Sequence, residues 1–380
     1  MTAQQVISSD SHVLEPNNFW VDRVDNKFKD RAPKIVERTD GKPGYVLVAP
    51  TIDPFPIGGA FALGKTNAEL QSHMAAATYK DAPPGGWDPV ERLKDQDKDG
   101  VVAEVLYATL SMPLFRLNDA DLQREVFRVY NDWMAEFCSH DKKRLIGNGL
   151  VSLEDIPLAV KELERCAKLG LRGVQIWSSA PEDKPYDLPV YNPFWKAAED
   201  LNMPLSMHAV TGRSRESTMV PDAASGFLRS IAARSPMEMS VLGSHEIERT
   251  MMHLIFGGVF ERHPGLKIVS VENNIGWLPF FLRMAEKGYS KYKAIVPTAP
   301  PEGPTFYLKR QFFATFENDA IGMSSYKTFG EDNFMWASDF PHRNTTWPNS
   351  HKIIDENFAG LPDAVRNKIV HGNVARLFNL

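Results

Sequence analysis

The chain has 380 residues, with 43 Lys and Arg against 48 Asp and Glu, a net charge of −5, and 43% apolar residues. This exceeds a typical domain of roughly 100–200 residues, and the ordinary globular composition excludes a disordered, collagen-like or disulfide-framed protein. The mildly acidic balance gives no electrostatic reason to expect nucleic acid or an anionic membrane as partner.

Val6–His12 is the first short run that reads as a strand. A long stretch follows, from about residue 16 to 89, rich in Gly, Pro, Asp and aromatic residues. Strand and helix patterns then alternate: Val101–Thr109, a helix over Leu122–Cys138, Leu145–Ser152, a helix over Ile156–Leu169, and Leu171–Trp177. A helix over Pro193–Leu201 and the strand Pro204–Ala209 come next, then a second long segment, about 211–246. The chain continues with a helix over Ile247–His263 and three more strands, Leu266–Glu272, Phe312–Glu317 and Phe334–Asp339. Several of the eight strands are continuous apolar runs, as expected where both faces of a parallel sheet are covered.

Eight strands alternating with helices close most economically into a (β/α)8 TIM barrel. No Gly-rich phosphate turn follows the first strand, which argues against a dinucleotide-binding open sheet. The expected architecture is one barrel domain over residues 1–380 with a long insertion after the first strand. Segments 16–89 and 211–246 both follow strand ends, so both are expected over the barrel mouth. Only Cys138 and Cys166 occur, no run of 18 apolar residues appears, and the opening residues lack a signal-peptide pattern. A cytoplasmic protein is therefore expected, with no membrane partner.

The chemistry sits at the strand ends. The first strand ends in Asp10-Ser11-His12, the fifth in His208, the sixth in Glu272, the seventh in Glu317, and the eighth in Asp339 with His342 close behind. Parallel barrel strands deliver their ends to one mouth, so these side chains are expected to converge. Such a cluster of carboxylates needs a cation or strongly raised pKa values to be tolerated. Imidazole and carboxylate donors suit Zn²⁺, Fe²⁺ or Mn²⁺, and such an ion can lower the pKa of water to about 7.

Four passages, SSDSHVLEP at the start, LIFGGVFERHPGLKIVSVENNIGWLPF at 254–280, MWASDFPHRNTTWP at 335–348 and the closing GNVARLFNL, resemble the amidohydrolase-related family. The resemblance implies a metal-bearing barrel in which Asp10, His12, His208 and Asp339 are ligands. An alternative alignment of the first strand keeps His12 but places Leu14 at a ligand position. Where the family's decarboxylases carry a catalytic His at the sixth strand, this chain has Glu272-Asn273-Asn274. Glu272 is thus expected as a base or as a ligand to a second ion, with Glu15 and Glu317 as further candidates. His253 is a candidate acid or base, and Trp177 and His342 are candidates to contact substrate.

The leading expectation is a metal-dependent hydrolase in which a metal-activated water attacks a small ring-containing ester, amide or carboxylate compound, with Asp339 or Glu272 moving the proton. Non-oxidative decarboxylation of an aromatic or enoic acid is the first alternative, and a dinuclear non-heme iron monooxygenase is the second. A small-molecule substrate and a homo-oligomer are expected.

Overall fold

In the computed structural model, residues 5–39, 41, 43–213, 219–221, 228–230 and 236–380 are described. Eight strands form one parallel sheet in sequence order, here β1 (Ile7–His12), β2 (Ala103–Tyr107), β3 (Leu145–Leu150), β4 (Gly173–Ile176), β5 (Leu205–His208), β6 (Ile268–Val271), β7 (Phe312–Phe316) and β8 (Phe334–Trp336). Every residue of all eight is buried, which explains why several of them read as unbroken apolar runs. The sheet curls until β8 lies beside β1. The seam is closed by Asp339 N–H to the Asp10 carbonyl (3.0 Å), His12 N–H to the Phe340 carbonyl (2.6 Å) and Ser338 N–H to Ser8 Oγ (2.8 Å). The (β/α)8 barrel expected from the sequence is the observed fold.

The outer helices carry their own start and stop signals. Helix α1 (Pro89–Asp99) begins at Asp88, which accepts from the N–H groups of Val90 and Glu91, and ends at Gly100 with φ 72°. Helix α2 (Ala120–Cys138) is capped by Asp119 and buries Leu122, Val126, Val129, Tyr130, Trp133 and Phe137 at spacings of three and four against the sheet. Helix α3 (Ile156–Leu169) is capped by Asp155 and has Pro157 in its first turn, where a missing N–H costs nothing. Helix α4 (Asn192–Asp200) completes the run before β5.

The helix expected over Ile247–His263 is interrupted. Helix α5 (Pro236–Phe256) stops at Gly257-Gly258, where Gly258 has φ 72°, and a separate turn spans Val259–Arg262. A side chain at Gly257 would meet Asp187 Cβ at 2.2 Å, so close packing requires a glycine there.

Between β1 and α1 the chain forms a three-stranded antiparallel sheet, Lys34–Glu37, Tyr45–Ala49 and Ile52–Pro56, followed by a helix over Asn67–Ala76. This segment touches loops that follow barrel strands. Thr51 Oγ1 accepts from Asn118 N–H, Asn67 from Arg343, and the Tyr79 hydroxyl donates to the Glu15 carbonyl. Of segment 211–246, residues 214–218, 222–227 and 231–235 lie outside the described residues. Among the described residues no helix is long and apolar enough to cross a membrane.

Leu163 on α3 is fully buried, whereas Leu158 on the same helix is 37% exposed. Leu163→Ala is expected to cost about 2–5 kcal/mol in denaturant unfolding, and Leu158→Ala under about 1 kcal/mol.

Candidate metal centre

Residues remote in sequence arrive at one point because the strands deliver them there. Asp10 and His12 come from the end of β1, where the register against β2 shifts between Ser8 and Ser11, an irregularity of the kind that re-aims side chains. His208 is the last residue of β5. Asp339 and Glu272 lie just past β8 and β6, and both adopt left-handed backbone, φ 56° and 57°. Non-glycine residues hold that conformation only where the surroundings enforce it, and such positions concentrate at functional sites.

The imidazole tautomers are set by backbone. His12 Nδ1 lies 2.8 Å from the Ala108 carbonyl and His208 Nδ1 lies 3.0 Å from the Ala209 carbonyl. A carbonyl only accepts, so both Nδ1 atoms carry hydrogen and both Nε2 lone pairs are turned toward the centre. Those two Nε2 atoms are 3.2 Å apart. Asp10 Oδ1 lies 3.4 Å from His12 Nε2 and 3.8 Å from His208 Nε2, while Asp339 Oδ1 lies 3.5 Å from His12 Nε2. Neither Asp10 oxygen, nor Asp339 Oδ1, has a hydrogen-bond partner, although all three are buried. With both rings neutral, four acceptors thus converge with no donor among them, an arrangement that a divalent cation satisfies. The donor set of two imidazoles and two carboxylates fits such an ion.

The electrostatics agree. Burial pushes the Asp10 carboxyl up, but the facing His12 and His208 rings outweigh it and hold the group below the usual carboxylate range. Burial and the neighbouring His342 lower His12 to about 4. Burial opposes charge on His208, yet Asp10 raises its pKa to about 9. The Asp339 carboxyl is raised well above its ordinary value by burial, then by the charges of Glu272 and Asp10. Glu317 is raised in the same way, by burial and then by Asp339, Glu272 and Asp10. Without an added positive charge, this group of carboxyls is not sustained as a set of anions.

The structure brings three of the six remaining sequence candidates, Glu272, Glu317 and His342, to the same place. The His342 ring stacks on His12, with centroids 4.0 Å apart, and its Nδ1 lies 3.2 Å from Asp339 Oδ1. Its Nε2 is 3.4 Å from Thr109 Oγ1, a residue that the sequence alone does not single out. Glu272 is about a third exposed, and its Oε2 lies 3.6 Å from His208 Nδ1. Three candidates sit elsewhere. His253 is on α5 with Nδ1 3.1 Å from Asp187 Oδ1, and it joins neither cluster of metal-type donors found among the described residues. Trp177 is buried in the apolar core, its carbonyl taken by the Tyr186 hydroxyl, and the Arg213 guanidinium lies 5.7 Å from its ring centre. Glu15 is spent on backbone: its two oxygens accept the N–H groups of Leu110 and Ser111, each at 2.8 Å.

A family model described as Amidohydrolase matches residues 19–380. A gamma-resorcylate decarboxylase of a Rhizobium species is 27% identical over 309 residues, 76% of this chain and 86% of that protein. The crystal structure of an amidohydrolase from Mycobacterium avium subsp. paratuberculosis superposes with a TM-score of 0.77 at 21% identity, covering 100% of both chains. A 5-carboxyvanillate decarboxylase of Novosphingobium aromaticivorans, complexed with manganese and 4-hydroxy-3-methoxy-5-nitrobenzoic acid, gives a TM-score of 0.66 at 20% identity over 100% of this chain and 97% of that one. The two structural likenesses bear on the fold.

Glu15→Ala leaves two buried N–H groups without acceptors and is expected to cost about 2–6 kcal/mol in denaturant unfolding, at about 1–3 kcal/mol for each such group. In chelator-treated protein, His208 has a folded pKa above its unfolded value of 6.5. Its contribution to stability is therefore complete below pH 6.5 and lost as the pH rises through about 9. Thermal melts across that window should show the decline, and His208→Gln should flatten it.

Proposed function

The chain belongs to the amidohydrolase family, and on that premise we propose that it is a metal-dependent carboxy-lyase, releasing CO₂ without an oxidant from a small aromatic or enoic acid. The observation that carries this reading is the convergence of Asp10, His12, His208 and Asp339 on one buried point, in a chain whose relatives include a gamma-resorcylate decarboxylase. Those four side chains would hold one divalent ion, and manganese is the first to try because the structurally similar carboxyvanillate enzyme is complexed with it. When bound, the ion supplies positive charge that draws an acidic substrate into the mouth and offsets negative charge developing as the carbon–carbon bond breaks.

The chain's own groups account for the proton. Loss of CO₂ leaves an electron pair on carbon, and that carbon must gain one proton. Asp339, whose carboxyl is raised well above its ordinary value by burial and then by the charges of Glu272 and Asp10, is placed to carry that proton. His342 Nδ1, at 3.2 Å, is placed to replace it, and Thr109 Oγ1 lies beyond at His342 Nε2. His12 and His208 are held in one orientation by the Ala108 and Ala209 carbonyls, so their part is to orient the centre.

Glu272 favours a second reading. An acidic side chain beside His208, where the related decarboxylases carry a His, would repel a substrate carboxylate and tolerate a neutral one. Hydrolysis of an ester or amide, with Asp339 as the proton carrier, fits that feature.

Protein loaded with Mn²⁺ should release CO₂ from a panel of hydroxybenzoic and enoic acids under nitrogen, one CO₂ per substrate lost. Asp339→Asn should lower kcat by at least about 10²-fold with an unchanged circular dichroism spectrum. Turnover of esters or amides with no CO₂ from any acid would replace the first reading by the second. Dependence on O₂ with two irons per chain would replace both.

A further inference from the structure

The side chain of Arg92 is buried completely, a position an arginine seldom occupies without a specific set of partners. It lies on α1, outside the barrel wall, and takes no part in the chemistry described above. Its Nε donates to Glu104 Oε2 of β2 at 2.6 Å, and Gln96 donates to the same oxygen at 2.7 Å. Its Nη1 donates to the main-chain carbonyl of His12 at 2.7 Å and to that of Gly85 at 3.3 Å. Its guanidinium carbon lies 4.6 Å from the centre of the Phe340 ring.

Two of these partners are immediate neighbours of the metal-type donors. The His12 carbonyl belongs to a donor residue, and Phe340 directly follows Asp339. The same two residues are joined to each other, His12 N–H to the Phe340 carbonyl at 2.6 Å. One planar cation therefore spans the ends of β1 and β8, the two strands that supply three of the four donors. A planar fork can serve a carboxylate, a carbonyl and a ring face together, whereas the ammonium of a lysine cannot. Helix α1 is itself braced from the β8 side, because Trp347 Nε1 donates to the Asp95 carbonyl and Ser350 N–H to Asp99 Oδ1.

We propose that Arg92 is a positioning residue of the metal centre, whose guanidinium holds the β1 end and the turn after β8 in register and so sets the affinity for the ion. The inference rests on the metal centre proposed above. A buried pair of Arg92 and Glu104 with a purely structural role would govern melting temperature and leave ion affinity alone.

The test uses full-length protein stripped with chelator, titrated with Mn²⁺ alone against a fluorescent competitor, and melted in parallel. Arg92→Lys keeps a charge opposite Glu104 but loses the fork. The double variant Arg92→Met with Glu104→Leu removes both charges, an exchange that well-packed apolar side chains often tolerate. Arg165→Met, which cuts a partly buried network with Asp132 and Glu162 on the helices, controls for general loss of stability. The dissociation constant for Mn²⁺ should rise about 10–100-fold in both Arg92 variants, the range typical of partners that orient metal ligands, and stay at the wild-type value in Arg165→Met. Wild-type affinity in either folded Arg92 variant, or an equal loss in Arg165→Met, would overturn the inference while leaving the metal centre standing. Failure of the wild-type protein to bind Mn²⁺ would overturn the metal centre and this inference with it.

Discussion

Mutual repulsion among like groups is the constraint on which this molecule turns. The charges of Asp10 and Glu272 raise the buried carboxyls of Asp339 and Glu317, and two imidazole nitrogens face the same point. In water such a group would disperse. Here it is held by main-chain hydrogen bonds to the far sides of both rings and by left-handed backbone at Asp339 and Glu272. The fold thus does work against the electrostatics, and that expenditure is reasonable only if a positive ion makes it good.

The barrel explains why these side chains can be held so firmly. Each sits at the end of a strand whose residues are all buried, so the backbone beneath it has little freedom to shift. Chemistry-bearing loops then vary above a rigid base. Segment 16–89 contributes to that upper layer through a small sheet of its own, tied by Thr51, Asn67 and Tyr79 to loops after three barrel strands.

Much of this was legible in the chain itself. All eight barrel strands are found within a few residues of their expected limits, because parallel strands covered on both faces leave compact apolar runs between turn signals. The residues that close on the centre were legible for the same reason: polarity at a strand end is conspicuous after an apolar run. What periodicity does not reveal is the face of a helix or the far side of a turn. His253 sits at the end of α5 but meets Asp187, Glu15 follows β1 but turns to the amides of Leu110 and Ser111, and Trp177 points into the core. Arg92 reads as one more charged helix residue in PVERLKDQDKD, and only the three-dimensional structure reveals its complete burial. The sheet within segment 16–89 escaped notice because its strands are four or five residues long and one, IDPFP, carries two prolines.

The seam between β1 and β8 joins Ser8 to Ser338, 330 positions along the chain. At typical synthesis rates of roughly 5–20 residues per second, the last strand leaves the ribosome on the order of tens of seconds after the first. During that interval the nascent chain can build its early helices, but Asp10 and His12 have no Asp339 to meet. Completion of the four-donor cluster is therefore a closing event of biogenesis, and a chain interrupted before its final strand would lack Asp339, one donor of the four.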